Sequence, residues 1–359
     1  MTTGLGPAGG APLARRPRAG ITLIELMVLI AIIALLLGLL LPALQQTRCR
    51  YSRPMQCSSQ LRQIGLAVAQ YANAHQQYPA GRPSRLIAGD DSSFGPSVFV
   101  SVLPFMDGVD LYNGYNFSVP PTAAANLTIS QVRPGTLHCP SDWDPSGLGE
   151  SGPGQGSANP GASGARPPSA LTSYGFLYGT VAYAWEARAD PSFDPLGQVN
   201  GSFNDRQVIK PADFTDGLSH TVLASERALS YINRGRAIPV GRWASSLGAS
   251  TLLFGTEPPN AALNYPAGDN GQPATRLASV SSLHPGGVKV LMGDGSVRFV
   301  KETIGSWPVA PASARPVGAV DVGDGLGKLP VPGVWQALIT RAGGEAVLPT
   351  SKDGDFDQP

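Results

Sequence analysis

The chain has 359 residues, 44 of them glycine and 34 proline, nearly double the roughly 12% those two usually supply. Only 14% are charged and the net charge is +1, so the one-sided basic excess of a nucleic-acid binder is missing and nucleic acid is excluded as an expected partner. Three cysteines without a Cys-x-x-Cys pair exclude a disulfide-dense scaffold and give no zinc-ribbon spacing.

The N-terminus carries the strongest signal. Residues 1–20 are mostly glycine, proline and alanine, with Arg15, Arg16 and Arg18 and no acid. From Ile21 the chain reads ITLIELMVLIAIIALLLGLLLPAL, and between Ile21 and Leu44 only Thr22 and Glu25 are polar. As a helix these residues reach ~36 Å, enough for a hydrocarbon core of ~30 Å. The composition predicts a membrane-spanning helix over 21–44. A cleaved secretory signal has a shorter apolar stretch and a small-residue site after it; here PALQQTRCR follows. A plain anchor fits the length but leaves the Glu25 carboxylate without a partner in lipid. Pro42 is tolerable as a kink near the far end. Arginines flank both ends of the run (Arg15, Arg16 and Arg18; Arg48, Arg50 and Arg53), so a count of positive charge does not orient it.

Beyond it, Leu61, Ile64, Val68 and Tyr71 recur at helical spacing. They predict an amphipathic helix from Gln60 to His75 lying on a sheet, with a break at Pro54 near Ser52–Met55. His75 reads as a packed or capping histidine. Short apolar pieces follow (Val98–Phe105, Tyr112–Val119, Leu127–Val132), and then a segment, 145–170, in which 21 of 26 residues are Gly, Pro, Ser or Ala. That segment buries too little surface to offset its ordering entropy and is expected to be a flexible insertion. Tyr174–Trp185 is aromatic and strand-like, Val208–Glu226 reads as a turn and a strand, and Gly293-Asp-Gly-Ser296 joins two apolar runs as a hairpin. No fixed-period repeat is visible.

Arg-Arg-Pro-Arg-Ala-Gly20 followed by Ile21-Thr-Leu-Ile-Glu25-Leu resembles the leader junction of type IV prepilins and type II secretion pseudopilins. The resemblance implies cleavage between Gly20 and Ile21 by a prepilin peptidase, N-methylation of Ile21, and Glu25 as the fifth residue of the mature chain. Ile21 departs from the usual Phe or Met. An α-amine on Ile21 and a carboxylate on a neighbour's Glu25 remove each other's desolvation penalty, which would set axial register in a filament. The same likeness places residues 1–20 in the cytoplasm and the chain after about Arg48 outside.

Later segments resemble a large bacterial pilin-like family with no assigned biochemical function. They are Met55-Gln-Cys57 with Leu61-Arg-Gln-Ile-Gly-Leu66, His138-Cys-Pro-Ser-Asp142, Asp213-Phe-Thr-Asp-Gly-Leu-Ser-His-Thr-Val222, His284 followed by Asp294-Gly295 as an H-x9-DG motif, and Trp335 to Glu345. Pro54, the Ser58-Ser59 pair and His220 depart from it. A hydrolase built on His284 and Asp294 is disfavoured: no Gly-x-Ser-x-Gly elbow exists, a turn accounts for Asp294, and the His284 ring reads as bonding nearby backbone. A metal site from Asp294, His284, Asp216 and His220 is conceivable, and related pseudopilins make calcium its candidate ion; no residue is assigned as a metal ligand. Cys57 and Cys139 fall on two family landmarks on the oxidising side, implying a disulfide that leaves Cys49 free.

The reading is an α+β protein, its long N-terminal membrane-spanning helix packed on an antiparallel, loop-rich pilin-like sheet. It has a leader (1–20), a membrane and filament helix (21–44) and an exported domain (45–350). It is expected to be no enzyme and to need no cofactor. Its expected partners are the membrane, a prepilin peptidase and other pilin-like subunits, at the inner membrane as a single-pass protein with a periplasmic or extracellular domain. The competing reading is a membrane-tethered ligand-binding module that presents residues 174–185.

Overall fold

The computed structural model describes residues 22–81, 95–121, 123–142, 148–149, 169–181, 200–204, 208–233, 240–246, 250–265, 274–311, 313–322, 325–344 and 356–357. For 39–52, 148–149, 274–275, 320–322, 325–328 and 356–357 it describes backbone alone. Two compact units result, Met1–Ser52 and Arg53–Pro359. Gly20, Ile21, most of the 145–170 segment expected to be a flexible insertion and the Cys49 side chain lie outside the described residues.

Helix α1 runs from Leu23 to His75. Every described side chain from Thr22 to Gly38 is exposed, and these are the apolar residues of the N-terminal run. Among the described residues no helix is long and apolar enough to cross a membrane. The break expected at Pro54 is not there. Proline removes the helical hydrogen bond to the Arg50 carbonyl, one turn back; the turns ahead of it are held, since the Pro54 carbonyl accepts from Ser58 Oγ at 3.2 Å and from Lys289 Nζ and Cys57 and Leu61 are wholly buried.

The second unit continues with α2 (Val98–Val102), α3 (Val109–Gly114), α4 (Ala124–Gln131), β1 (Leu148–Gly149), β2 (Ser169–Ala170), β3 (Tyr174–Gly179) and β4 (Val222–Glu226). There follow α5 (Leu229–Ile232), β5 (Leu252–Phe254), α6 (Ala274–Leu277), β6 (Gly287–Met292), β7 (Val297–Lys301), β8 (Val320–Val322), β9 (Gly325–Lys328), α7 (Val334–Ile339) and β10 (Phe356–Asp357). The main sheet has the order β10-β7-β6-β4-β3-β5. It is mixed rather than antiparallel as expected, because β5 lies parallel to β3, Phe176 opposite Leu252. A parallel neighbour needs a long crossover, and the chain returning from β4 through α5 provides it. Near the two ends of the 145–170 segment β1 and β2 pair, Leu148 with Ala170 and Gly149 with Ser169.

Strand alternation sends side chains to two faces. Tyr174, Phe176, Leu252, Phe254 and Leu291 face a cluster that includes Leu61, Ile64, Ala67 and Val68 of α1. Leu177, Leu253, Val288, Val290, Met292 and Val300 face Trp335, Leu338 and Ile339 of α7. The unit is therefore helix, sheet, helix. Val222 and Ala224 share parity yet fall on opposite faces, which the register shift between them explains. The predicted stripe is the buried face of α1: Leu61, Ile64 and Val68 are wholly buried, and Tyr71 half-buried. Each such residue contributes roughly 1.5–3 kcal/mol. Gly65 lets the helix seat closely, since a Cβ there would stand 2.6 Å from Leu291 Cδ1. Tyr174, Phe176, Tyr178 and Val181 are also buried, so the described part of 174–185 is core and presents no aromatic face to a ligand.

Candidate functional site

Three groups of predicted residues are structured differently. At the head of α1, Thr22 and Glu25 form a capping box. The Thr22 N–H and Oγ1 donate to Glu25 Oε2 at 2.9 and 2.8 Å, and Glu25 N–H donates to Thr22 Oγ1 at 3.4 Å. The signal was legible as Thr-x-x-Glu ahead of an apolar run and was missed because Glu25 was read for its charge alone. His75, at the other end of α1, is exposed and stacks on Tyr71, ring centroids 4.3 Å apart.

The second group is deep in the core. Cys57 on α1 and Cys139 in the Cys-Pro-Ser-Asp loop are joined in a disulfide. Beside it Glu226, at the end of β4, and His284, ahead of β6, meet with Nε2 3.1 Å from Oε1. Cys139 Sγ lies 3.8 Å from Glu226 Oε1 and 3.9 Å from His284 Nε2. All four side chains are buried, His284 the least so at 6%. The His284 ring thus bonds a carboxylate, not nearby backbone as expected; its backbone N–H is held by Ser282 Oγ at 3.2 Å. Glu226 Oε2 accepts the Lys289 N–H at 3.1 Å.

The Glu226 charge is felt around it. Tyr174, whose hydroxyl donates to Gln60 Oε1 at 2.8 Å, is pushed well above the usual phenol range by burial and by the charges of Glu226 and Asp142. Burial pulls the Lys289 ammonium down, with Glu226 opposing; that ammonium donates to Ser58 Oγ at 2.6 Å. Asp142 of the same loop accepts from Leu229 N–H at 2.9 Å and Ser230 N–H at 3.0 Å. It also faces the fully buried Arg227, whose guanidinium burial draws down to about 10 against the pull of Asp142. Glu226 and Asp142 are organising residues the sequence reading passed over. Both lie within segments already singled out, but neither has a local signal of its partner.

The third group joins loops. Asp294 and Gly295 form the β6–β7 turn, where Asp294 Oδ1 accepts from Ser296 N–H at 2.9 Å and Gly295 has φ +84°. Asp294 N–H donates to Leu218 O and Gly293 N–H to Thr221 O, tying the turn to the Asp-Gly-Leu-Ser-His segment. Asp216 in that segment accepts from Gly343 N–H at 2.7 Å and Gly344 N–H at 3.0 Å. His284 and Asp294 are not brought together: they flank a strand whose ends stand roughly 17 Å apart. Asp216 likewise serves the C-terminal loop, and His220 is exposed. The four residues considered for calcium form no common site.

Burial alone would raise Asp294, but hydrogen bonds from Ser296 and Ser219 and the charge of Arg298 outweigh it and leave the carboxyl below its ordinary range. A carboxyl with a lower pKa folded than unfolded adds stability above its unfolded value and loses it as pH falls through the folded one. Asp294→Asn is therefore expected to lower the urea midpoint slightly at pH 7, the gap closing below about pH 4. Equal gaps at neutral pH and at about pH 3 would remove the charge from this account.

A family model described as Protein of unknown function (DUF1559) matches residues 50–306. A second, described as Prokaryotic N-terminal methylation motif, matches residues 15–41. Neither description names a catalytic activity. No curated protein and no solved structure matches the chain.

Proposed function

Because the chain belongs to the family described as Protein of unknown function (DUF1559) and carries the prokaryotic N-terminal methylation motif at its head, we propose that it is a prepilin-like structural subunit of a pilus or type II secretion pseudopilus-like assembly. The motif makes it a pilin-like chain of the kind processed by prepilin peptidase. The finer steps are cleavage after Gly20, methylation of Ile21, anchoring through 21–44 in the inner membrane, and export of the domain that follows. The observation that carries the reading is the methylation motif running directly into an apolar helix with no soluble side.

Leu23, Ile24, Leu35 and Leu37 are each more than half exposed, on a helix with apolar residues all round. Such surface needs covering by lipid or by neighbouring helices, and a filament of like subunits supplies both in turn. Glu25 is then the fifth residue of the mature chain, and in this reading its carboxylate neutralises the amine of a neighbouring subunit. The domain beyond Arg53 presents no exposed aromatic strand among its described residues that would favour the tethered binding module.

The test is the N-terminus of the membrane-extracted protein, read by intact and peptide mass spectrometry. A chain beginning at N-methylated Ile21 is expected. Retention of Arg15–Gly20 would leave a plain anchor, and a start beyond Leu44 a secreted protein; either overturns the assembly reading.

A further inference from the structure

The buried group around Cys139 has a geometry that neither the assembly reading nor the disulfide uses. The ligand atoms of Cys57, Cys139, Glu226 and His284 all lie within 4.8 Å of one another. A catalytic relay would use both nitrogens of the imidazole, one toward the thiol and one toward the carboxylate. Here a single nitrogen, Nε2, faces both Glu226 Oε1 at 3.1 Å and Cys139 Sγ at 3.9 Å. Atoms converging on one point are a coordination arrangement, not a proton path.

We propose that the reduced protein binds one zinc-like divalent cation through Cys57 Sγ, Cys139 Sγ, Glu226 and His284 Nε2, so that this core has two exclusive covalent states, disulfide or metal-bound. The donor set suits a borderline-soft tetrahedral ion; two sulfurs and an imidazole against one carboxylate are wrong for calcium. Bonds of ~2.0–2.3 Å put tetrahedral ligand atoms roughly 3.3–3.8 Å apart. The Cys139–Glu226 and Cys139–His284 separations of 3.8 and 3.9 Å and the 3.1 Å Glu226–His284 contact are already near that. Only Cys57 Sγ has to move, and opening the S–S bond frees it to do so. The outer shell is also built: Glu226 Oε2 is held by the Lys289 N–H, as supporting hydrogen bonds fix ligands elsewhere.

The step balances with a dithiol as reductant. It gives two electrons and two protons to the Cys57–Cys139 bond, making two thiols, and itself becomes a disulfide. The incoming cation then displaces the two thiol protons, which pass to water, and takes the lone pair of His284 Nε2 with the imidazole proton on Nδ1. The state of this one core decides whether α1 is tied to the Cys-Pro-Ser-Asp loop covalently or through an ion.

The experiment uses the full chain in detergent with Cys49→Ser, oxidised or reduced by a phosphine, which leaves as its oxide and contributes no thiol. It is titrated with cobalt(II). One cobalt per reduced chain, with tetrahedral d–d bands and thiolate charge-transfer absorption displaced by one equivalent of zinc, is expected; the oxidised chain should take none. Glu226→Gln and His284→Ala should each weaken binding by more than about tenfold. Near-ultraviolet dichroism of the buried Trp243 and Trp335 follows the fold. If reduction erases that signal, metal should restore it. Uptake without restoration, equal uptake by the oxidised chain, no uptake by a reduced chain that stays folded, or unchanged affinity in both variants would each overturn the site. None of these outcomes depends on filament assembly.

Discussion

Cys57→Ala/Cys139→Ala is expected to unfold with a free energy on the order of 4 kcal/mol below the disulfide-bonded protein. The crosslink spans a sequence separation of 82, and closing a loop of that length removes about that much from the denatured state in the chain-entropy account. The loss comes mainly from the unfolded side, because α1 keeps its apolar seat on Tyr174, Phe176 and Leu291. Small cavities at two buried sulfurs add a little. Against a typical domain stability of about 5–15 kcal/mol, the change is large. Urea unfolding followed by the fluorescence of Trp243, Trp307 and Trp335 measures it directly. A loss below about 1 kcal/mol would mean that the Cys-Pro-Ser-Asp loop is held by Asp142 and its contacts rather than by the crosslink.

What the sequence disclosed depended on the range of the interaction. The buried face of α1 was legible because Leu61, Ile64 and Val68 repeat with the helical period, and the β6–β7 hairpin because Asp294-Gly295 is a local turn signal. The parallel pairing of β5 with β3 was not, since a connection, not a pattern, decides which edge a strand joins. Val98-Phe-Val-Ser-Val102 has the composition of a strand yet is α2, capped by Ser97 Oγ accepting from Val100 N–H at 3.3 Å. Four of its five residues are buried, and burial overrode propensity.

The candidate site divides in the same way. Cys57, Cys139 and His284 each stood out as a landmark, but nothing local announced that they meet at Glu226, which is 58 residues from His284 and 87 from Cys139. The landmarks at Asp216 and Asp294 turned out to serve loop-to-loop fastening. Their carboxylates hold backbone N–H groups of the Gly343-Gly344 segment and of the Ser296 turn. The landmark residues of this chain thus split between a buried polar core and structural clasps at the sheet's edge.

Glu25 separates charge from capping, and the two have different sizes. The box with Thr22 uses the Thr22 N–H and hydroxyl, neither of which is lost when the chain is cut before Ile21. Glutamine fills the same position in capping boxes, so Glu25→Gln keeps the helix start and removes only the charge. In the assembly reading that charge neutralises a buried amine on the next subunit, and leaving one partner of such a pair alone costs about 3–5 kcal/mol. At about 1.4 kcal/mol per factor of ten, this is a loss of roughly two to three and a half orders of magnitude in incorporation. Losing the cap as well, in Glu25→Ala, adds only about 1 kcal/mol. Both variants are therefore expected to enter the membrane normally and to vanish from sheared fibres almost equally, with glutamine no better than alanine by more than about tenfold. Quantitative immunoblotting of fibre and membrane fractions reads this. If Glu25→Gln assembles like wild type while Glu25→Ala fails, the carboxylate acts as a helix cap and the filament is registered by something else.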